Sequence, residues 1–311
     1  MSDSLAKDSR GRYACLLFDS TFKTVLGTAE HEDTFIEMLE LLIPGKHISS
    51  ITMLNKEYNG FVNSEKRVNF DMLCRDDDTG EEFLVEVQNA FNRSYCDRVL
   101  YYSYYPLREQ LAKKDLDSLE EKKKDKMDYS LNPVYVISLI NFELEHESDD
   151  VLEDGYVSRY ELRNGKNGEV LTNALNFVFV EMGRLPFKKD EHDKCRTRME
   201  QFVFTIKYMH TFMDFPENFG QDPLLGKMAA AAELANMPIE QLNQYEKDMR
   251  TELDRLTEIN SARELGREEG IEKGRAEGRA EMARKMLAKH FSISDISEIT
   301  GLSEDEIQIL A

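Results

Sequence analysis

The sequence predicts an α/β chain whose last third is helical, and three observations carry that prediction. A segment of three- and four-residue apolar spacing comes first, short β-branched and apolar runs then cluster between residues 48 and 182, and strand signals vanish after about residue 191. The apolar share of 41% over 311 residues, with 17 Phe and 13 Tyr, suffices for a sizeable core and excludes a mainly disordered chain.

Residues 19–43 read as helix because Phe35, Met38, Leu39, Leu42 and Ile43 recur at helical spacing, and Pro44-Gly45 then stops it. A short strand is expected at 48–54. Residues 66–75 (KRVNFDMLCR) and 82–89 (EFLVEVQN) read as two strands joined by the turn sequence DDDTGE. Residues 92–114 form a long helix carrying Tyr95, Tyr101, Tyr102, Tyr104 and Tyr105, followed by a polar connection at 115–130. The run PVYVISLINFEL at 133–144 has the composition of a strand buried on both faces, and 156–163 and 174–182 are further strand candidates. A division near 225 separates a first domain, 1–225, from a helical region, 226–311.

The formal charge is −20, so a uniform surface would repel DNA, RNA and anionic membranes. That excludes a general nucleic-acid coat protein and leaves room for a local basic cleft or a metal. The four cysteines lie far apart with no C-x-x-C pair, which points to reduced thiols. No apolar run approaches the ~20 residues of a membrane helix, and MSDSLAKDSRGRY lacks a signal-peptide core, so a cytoplasmic protein is expected. Histidines 146, 192, 210 and 290 form no i, i+4 pair, and neither a phosphate-binding glycine loop nor a nucleophile elbow is present.

The chemistry concentrates on the expected hairpin. Side chains alternate along a strand, so Leu84, Glu86 and Gln88 share one face and Phe83, Val85 and Val87 the other. If the chain turns about Asp78-Thr79, facing residues have numbers summing to 157, and Asp71 stands opposite Glu86 with Cβ atoms ~5 Å apart. Such a like-charge pair is unfavourable unless a cation lies between the two. Two carboxylates with the Val87 carbonyl make a hard oxygen site suited to Mg²⁺ or Mn²⁺. The plain alternative is a solvated strand face, and Leu84 beside Glu86 argues against it.

These residues resemble a known family. Asp71, a turn, then Glu86-Val-Gln88 and a helix with Arg98 and Tyr101-Tyr102 resemble the PD-(D/E)XK nuclease fold. Asp19-Ser-Thr-Phe22-Lys23 and Asn55-Lys-Glu57 bring the likeness closer to the PD-(D/E)XK nuclease family transposases, also called recombination-promoting nucleases. The resemblance implies a restriction-endonuclease-like core with a mixed central sheet flanked by helices. It implies a Mg²⁺-dependent DNA endonuclease acting in recombination or against foreign DNA, with Asp71 and Glu86 as metal ligands. Gln88 stands where the wider fold carries lysine, and is expected to orient the water. Lys23 or Arg98 would supply the positive charge that lysine gives, the alternatives being a solvated lysine and an ion pair to Asp97 or Glu109. Glu57 is an additional candidate ligand, with a plain surface acid as its alternative. The competing function is an inactive nuclease fold that binds DNA or protein.

Gly266, Gly270, Gly274 and Gly278 fall four apart, a stripe that drifts only ~40° per step along a helix. Self-association through that stripe is expected, against the alternative of a frayed, solvated helix. After it, Ser303 and Glu306 have capping-box spacing and Gly301 makes a turn. This is compatible with a helix-turn-helix, but the acids Glu304, Asp305 and Glu306 favour a small helical interaction module.

Overall fold

Helix α1 (Asp19–Leu26) and helix α2 (Glu32–Leu42) lead into strand β1 (Ile51–Met53) in a computed structural model that describes residues 11–54, 57–58, 68–120 and 129–310. The side chains of residues 57–58, 68–69 and 115–120 lie outside that description. The strands continue as β2 (Glu57–Tyr58), β3 (Val68–Asn69), β4 (Met72–Asp76) and β5 (Glu82–Gln88). Helix α3 (Tyr95–Glu120) precedes β6 (Val134–Ile140), β7 (Leu152–Glu153), β8 (Val157–Arg163) and β9 (Val170–Glu181). Then come α4 (Arg198–Tyr208), α5 (Glu217–Gly220), α6 (Pro223–Ala232), α7 (Ile239–Ala288), α8 (Ile293–Thr300) and α9 (Glu304–Leu310).

Seven strands form one mixed sheet in the order β1-β4-β5-β6-β9-β8-β7, and β2 pairs with β3 apart from it. Strand β5 runs parallel to β6, and β6 parallel to β9, while β1–β4, β4–β5 and β8–β9 are antiparallel. The central strands are apolar on both faces because helices cover both. Phe83, Val85 and Val87 share a core with Phe22, Phe35, Met38, Phe202 and Leu225. Leu73, Leu84 and Val136 join Tyr95, Val99 and Tyr105 of α3 in the other.

Three expected elements differ. The helix expected over 19–43 is two helices: α1 closes on Gly27, whose N–H donates to the Lys23 carbonyl at 2.8 Å, and Thr28 is extended. A Cβ at Gly27 would stand 2.7 Å from that carbonyl, which is why the break falls at a glycine. The strand expected over 66–75 is interrupted at Phe70-Asp71, so β4 begins at Met72. The connection expected at 115–130 is helical up to Glu120, in keeping with the good helix formers Leu116, Leu119 and Glu120; residues 121–128 lie outside the description.

Chain contacts divide the protein into Met1–Tyr245 and Glu246–Ala311, so α6, which spans residue 225, packs within the first unit against α1 and α2. In the second unit Ala283, Ile296 and Ile307 form a small core. Ser292 caps α8 by accepting from the Asp295 N–H at 3.1 Å, and Gly301 ends it in the left-handed region, φ 69°. The box before α9 closes both ways: Glu306 N–H donates to Ser303 Oγ at 3.3 Å, and Ser303 N–H to Glu306 Oε2 at 2.8 Å. Glycines 266, 270, 274 and 278 lie on the exposed part of α7, and a Cβ at any of them would meet nothing within 4 Å. Among the described residues no helix is long and apolar enough to cross a membrane.

Candidate active site

The hairpin register puts Met72 opposite Val85, Leu73 opposite Leu84, Cys74 opposite Phe83 and Arg75 opposite Glu82, every pair summing to 157. Extended by one residue, that register sets Asp71 across from Glu86. The turn fixes it: Asp76 Oδ1 accepts the Asp78 N–H at 2.8 Å, and Gly80 takes φ 73°.

Because the ladder stops at Met72, the Asp71 side chain takes over the backbone's task. Its Oδ2 accepts the Val87 N–H at 2.7 Å, while the Asp71 N–H points at Glu86 Oε1 from 3.4 Å. The carbonyl of a strand residue leaves on the same side as its N–H, so the Val87 carbonyl also faces Asp71. Asp71 is largely covered and Glu86 is 6% exposed. Burial, reinforced by the neighbouring Asp19 carboxylate, raises the Asp71 pKa; burial and Asp71 raise that of Glu86.

Cations approach from two elements. Lys23 of α1 is paired with Asp19 one turn before it and reaches Asp71 Oδ1 at 3.8 Å. Arg98 of α3 donates through Nη2 to Gln88 Oε1, and its guanidinium lies 5.0 Å from the Tyr95 ring centre and 5.6 Å from that of Tyr102. The Gln88 amide is held at its other end too, donating to the Ala90 carbonyl at 3.0 Å. Arg98 Nε is buried with no hydrogen-bond partner. The structure thus brings together Lys23, Asp71, Glu86, Val87, Gln88 and Arg98. Glu57 lies on β2, and its side chain is outside the described residues.

Among the described residues no three His, Cys, Asp or Glu side chains converge as a metal cage. The donor set is instead two carboxylates and one backbone carbonyl, all oxygen, and it fits a hard divalent ion that leaves positions for water and a phosphate. The buried like-charge pair gives an independent reason, since only a cation or a shared proton makes it tolerable. Asp19 received no role from the sequence; its i, i+4 spacing to Lys23 at the start of a helix was the available signal.

Residues 16–262 match the family model described as PD-(D/E)XK nuclease family transposase. The chain belongs to the PD-(D/E)XK nuclease family transposases. Residues 276–311 match a second family model, the C-terminal HTH domain of the Rpn/YhgA-like nuclease family. No curated protein and no solved structure gives a match. The mixed sheet between helices agrees with the fold of the family, whose members commonly use divalent metal ions.

The second match corrects the preference for an interaction module over a helix-turn-helix. The acids that motivated that preference have a local cause in this transposase-family protein. Glu304, Asp305 and Glu306 form the first turn of α9, where negative charge complements the helix dipole and Glu306 closes the box.

Proposed function

We propose that the chain is a divalent-metal-dependent DNA endonuclease, Mg²⁺ being the expected ion and Mn²⁺ an alternative. The single observation that carries this reading is the buried facing pair Asp71 and Glu86, with the Val87 N–H bonded to Asp71 between them. Asp71, Glu86 and Val87 hold the ion, with Glu57 as an additional candidate. When bound, such an ion lowers the pKa of a water and neutralises charge on the scissile phosphate.

The chain's own side chains do the rest. Lys23 and Arg98 set positive charge on either side of the acid pair, where a phosphate would enter. Gln88 holds Arg98 through one lone pair of its carbonyl and orients the water through the other. In this reading Arg98, positioned by Gln88, replaces the lysine that the wider fold carries. The substitution Gln88→Lys is therefore expected to lower nicking about tenfold or more, because an ammonium beside the guanidinium repels it. Combining it with Arg98→Ala is expected to recover part of the loss. A single Gln88→Lys variant faster than wild type would remove Arg98 from this role.

The test of the function is incubation of purified protein with supercoiled plasmid in Mg²⁺, in Mn²⁺ and in EDTA. Metal-dependent nicking supports the reading; DNA binding without cleavage in either metal would assign an inactive nuclease fold that serves as a binding module. The C-terminal helices are proposed to engage DNA as a helix-turn-helix, and the biological setting to be recombination or defence against foreign DNA in the cytoplasm.

Self-association along the glycine stripe of α7 belongs to the same proposal. Gly270→Leu with Gly274→Leu raises helix propensity by ~0.8 kcal/mol per site yet would hold two packed backbones apart. Sedimentation at equal concentration is expected to show a lower mass for the double variant. A monomeric wild type would leave the glycines with no such role.

A further inference from the structure

Helix α3 turns one face to the acid pair and another to solvent. Leu100, Tyr101 and Tyr104 are 56%, 45% and 53% exposed, and Phe91, just before the helix, is 67% exposed. Residues 97, 100, 101, 104 and 108 have the spacing of a single helix stripe, so the exposed rings lie side by side. The rings are also held. Tyr101 and Tyr105 share a hydroxyl–hydroxyl bond of 2.7 Å and meet edge to face at 5.5 Å, and Tyr104 meets Tyr105 edge to face at 5.6 Å.

Two features say what this face fits. Apart from Arg98, which turns to Gln88, the segment from Phe91 to Lys114 carries four Arg and Lys against two acids, a net +2 in a chain of −20. The stripe is also continuous with the proposed site, since Tyr101 follows Arg98 by three residues and Tyr104 by six, ~4.5 and ~9 Å along the axis. Aromatic faces set in locally positive surface are the arrangement that binds unpaired nucleic-acid strands, whose bases stack while the backbone is neutralised.

Resting on the endonuclease reading, we propose that the exposed face of α3 is a stacking platform for unpaired DNA, with Tyr101 and Tyr104 as its principal rings. The site would thus take single-stranded or locally opened DNA in preference to closed duplex. A base-paired strand offers its ring faces to its neighbours in the stack and leaves none for tyrosine.

The chain has no tryptophan, so Tyr104→Trp creates a single reporter on the platform. In EDTA, where no cleavage occurs, titration with oligothymidylate is expected to quench its emission, and a closed hairpin duplex of equal length is expected not to. The pair Tyr101→Ala with Tyr104→Ala should weaken oligothymidylate binding at least tenfold, while Tyr101→Phe with Tyr104→Phe should bind as wild type. Both positions are exposed, and circular dichroism confirms the fold of each variant. Equal affinity of wild type and the double alanine variant, or quenching by the duplex as strong as by the single strand, overturns the proposal. So does an emission shift that needs no DNA and vanishes on dilution, which would assign the face to a second copy of the chain. Nicking that depends on Asp71 together with a silent tryptophan removes the platform alone; nicking indifferent to Asp71 removes the site reading on which the platform rests.

Discussion

Replacing Asp71 by alanine is expected to abolish plasmid nicking while leaving the fold intact. Asp71 contributes one of two carboxylates to the oxygen set, and its Oδ2 also holds the Val87 N–H, so its loss removes a ligand and loosens the carbonyl beside it. Losing one preorganised electrostatic contact at a reacting centre costs ~10²–10³ in rate, and a lost metal ligand should cost at least that. Stability should move the other way. In EDTA alanine at 71 removes a buried carboxyl group whose ionisation is opposed by burial and by the Asp19 carboxylate, so the thermal midpoint should hold or rise. One backbone N–H loses its acceptor, a cost of about 1–3 kcal/mol, which limits the rise. Unaltered cleavage by this variant would place the chemistry elsewhere. Asp71→Asn separates the two effects, since the amide oxygen can still accept from Val87.

The second large effect is on the pH dependence of stability. Burial first, and then a neighbouring carboxylate, raise the pKa of both Asp71 and Glu86. Both groups hold protons more tightly folded than unfolded, so at a pH above the ordinary carboxylate range the native state carries more protons than the unfolded chain. Stability then falls as pH rises. Their contribution is fully present below the ordinary values near 4 and is lost progressively up to the raised native values. In EDTA the wild type should lose on the order of 2 kcal/mol more than Asp71→Asn with Glu86→Gln between pH 5 and 8, each pKa unit being ~1.4 kcal/mol. Mg²⁺ or Mn²⁺ should restore the wild type increasingly as pH rises, because the ion then has fewer protons to displace from the pair, and leave the double variant unmoved. Urea midpoints across that range provide the measurement. Parallel profiles for the two proteins in EDTA would mean that the pair is solvated.

The hairpin was legible because its information is local. A turn rich in Asp with a glycine in place fixes the register, and alternation then sets Asp71 and Glu86 on one face. The sheet order was not legible, because the parallel pairings of β5 with β6 and β6 with β9 join residues far apart in sequence. Arg98 could be nominated from its helix, but its aim depends on how residues 89–94 carry the chain from β5 to α3, which no periodicity encodes. The break at Gly27 was overridden by apolar spacing that continues on either side of it. The acids of α9 were read as unfavourable for a groove-reading helix, although Glu306 already had capping-box spacing to Ser303 and all three stand in the first turn.

At the end of β9, Glu181 is wholly buried, and its carboxylate is shared among His146 at 2.6 Å, Arg184 at 2.8 Å and the Leu144 N–H at 2.7 Å. Arg184 in turn donates to the Leu144 carbonyl at 2.7 Å, so the segment after β6 is tied to β9 through one acid. Removing one partner of such a buried pair strands the other charge and costs about 3–5 kcal/mol, whereas exchanging the whole set for apolar residues can be neutral. Single-step mutational paths away from this arrangement therefore pass through a valley. Among relatives, positions 146, 181 and 184 should be inherited as a block, kept together or replaced together, and a chimaera that divides them between two parents should fold less well than either parent.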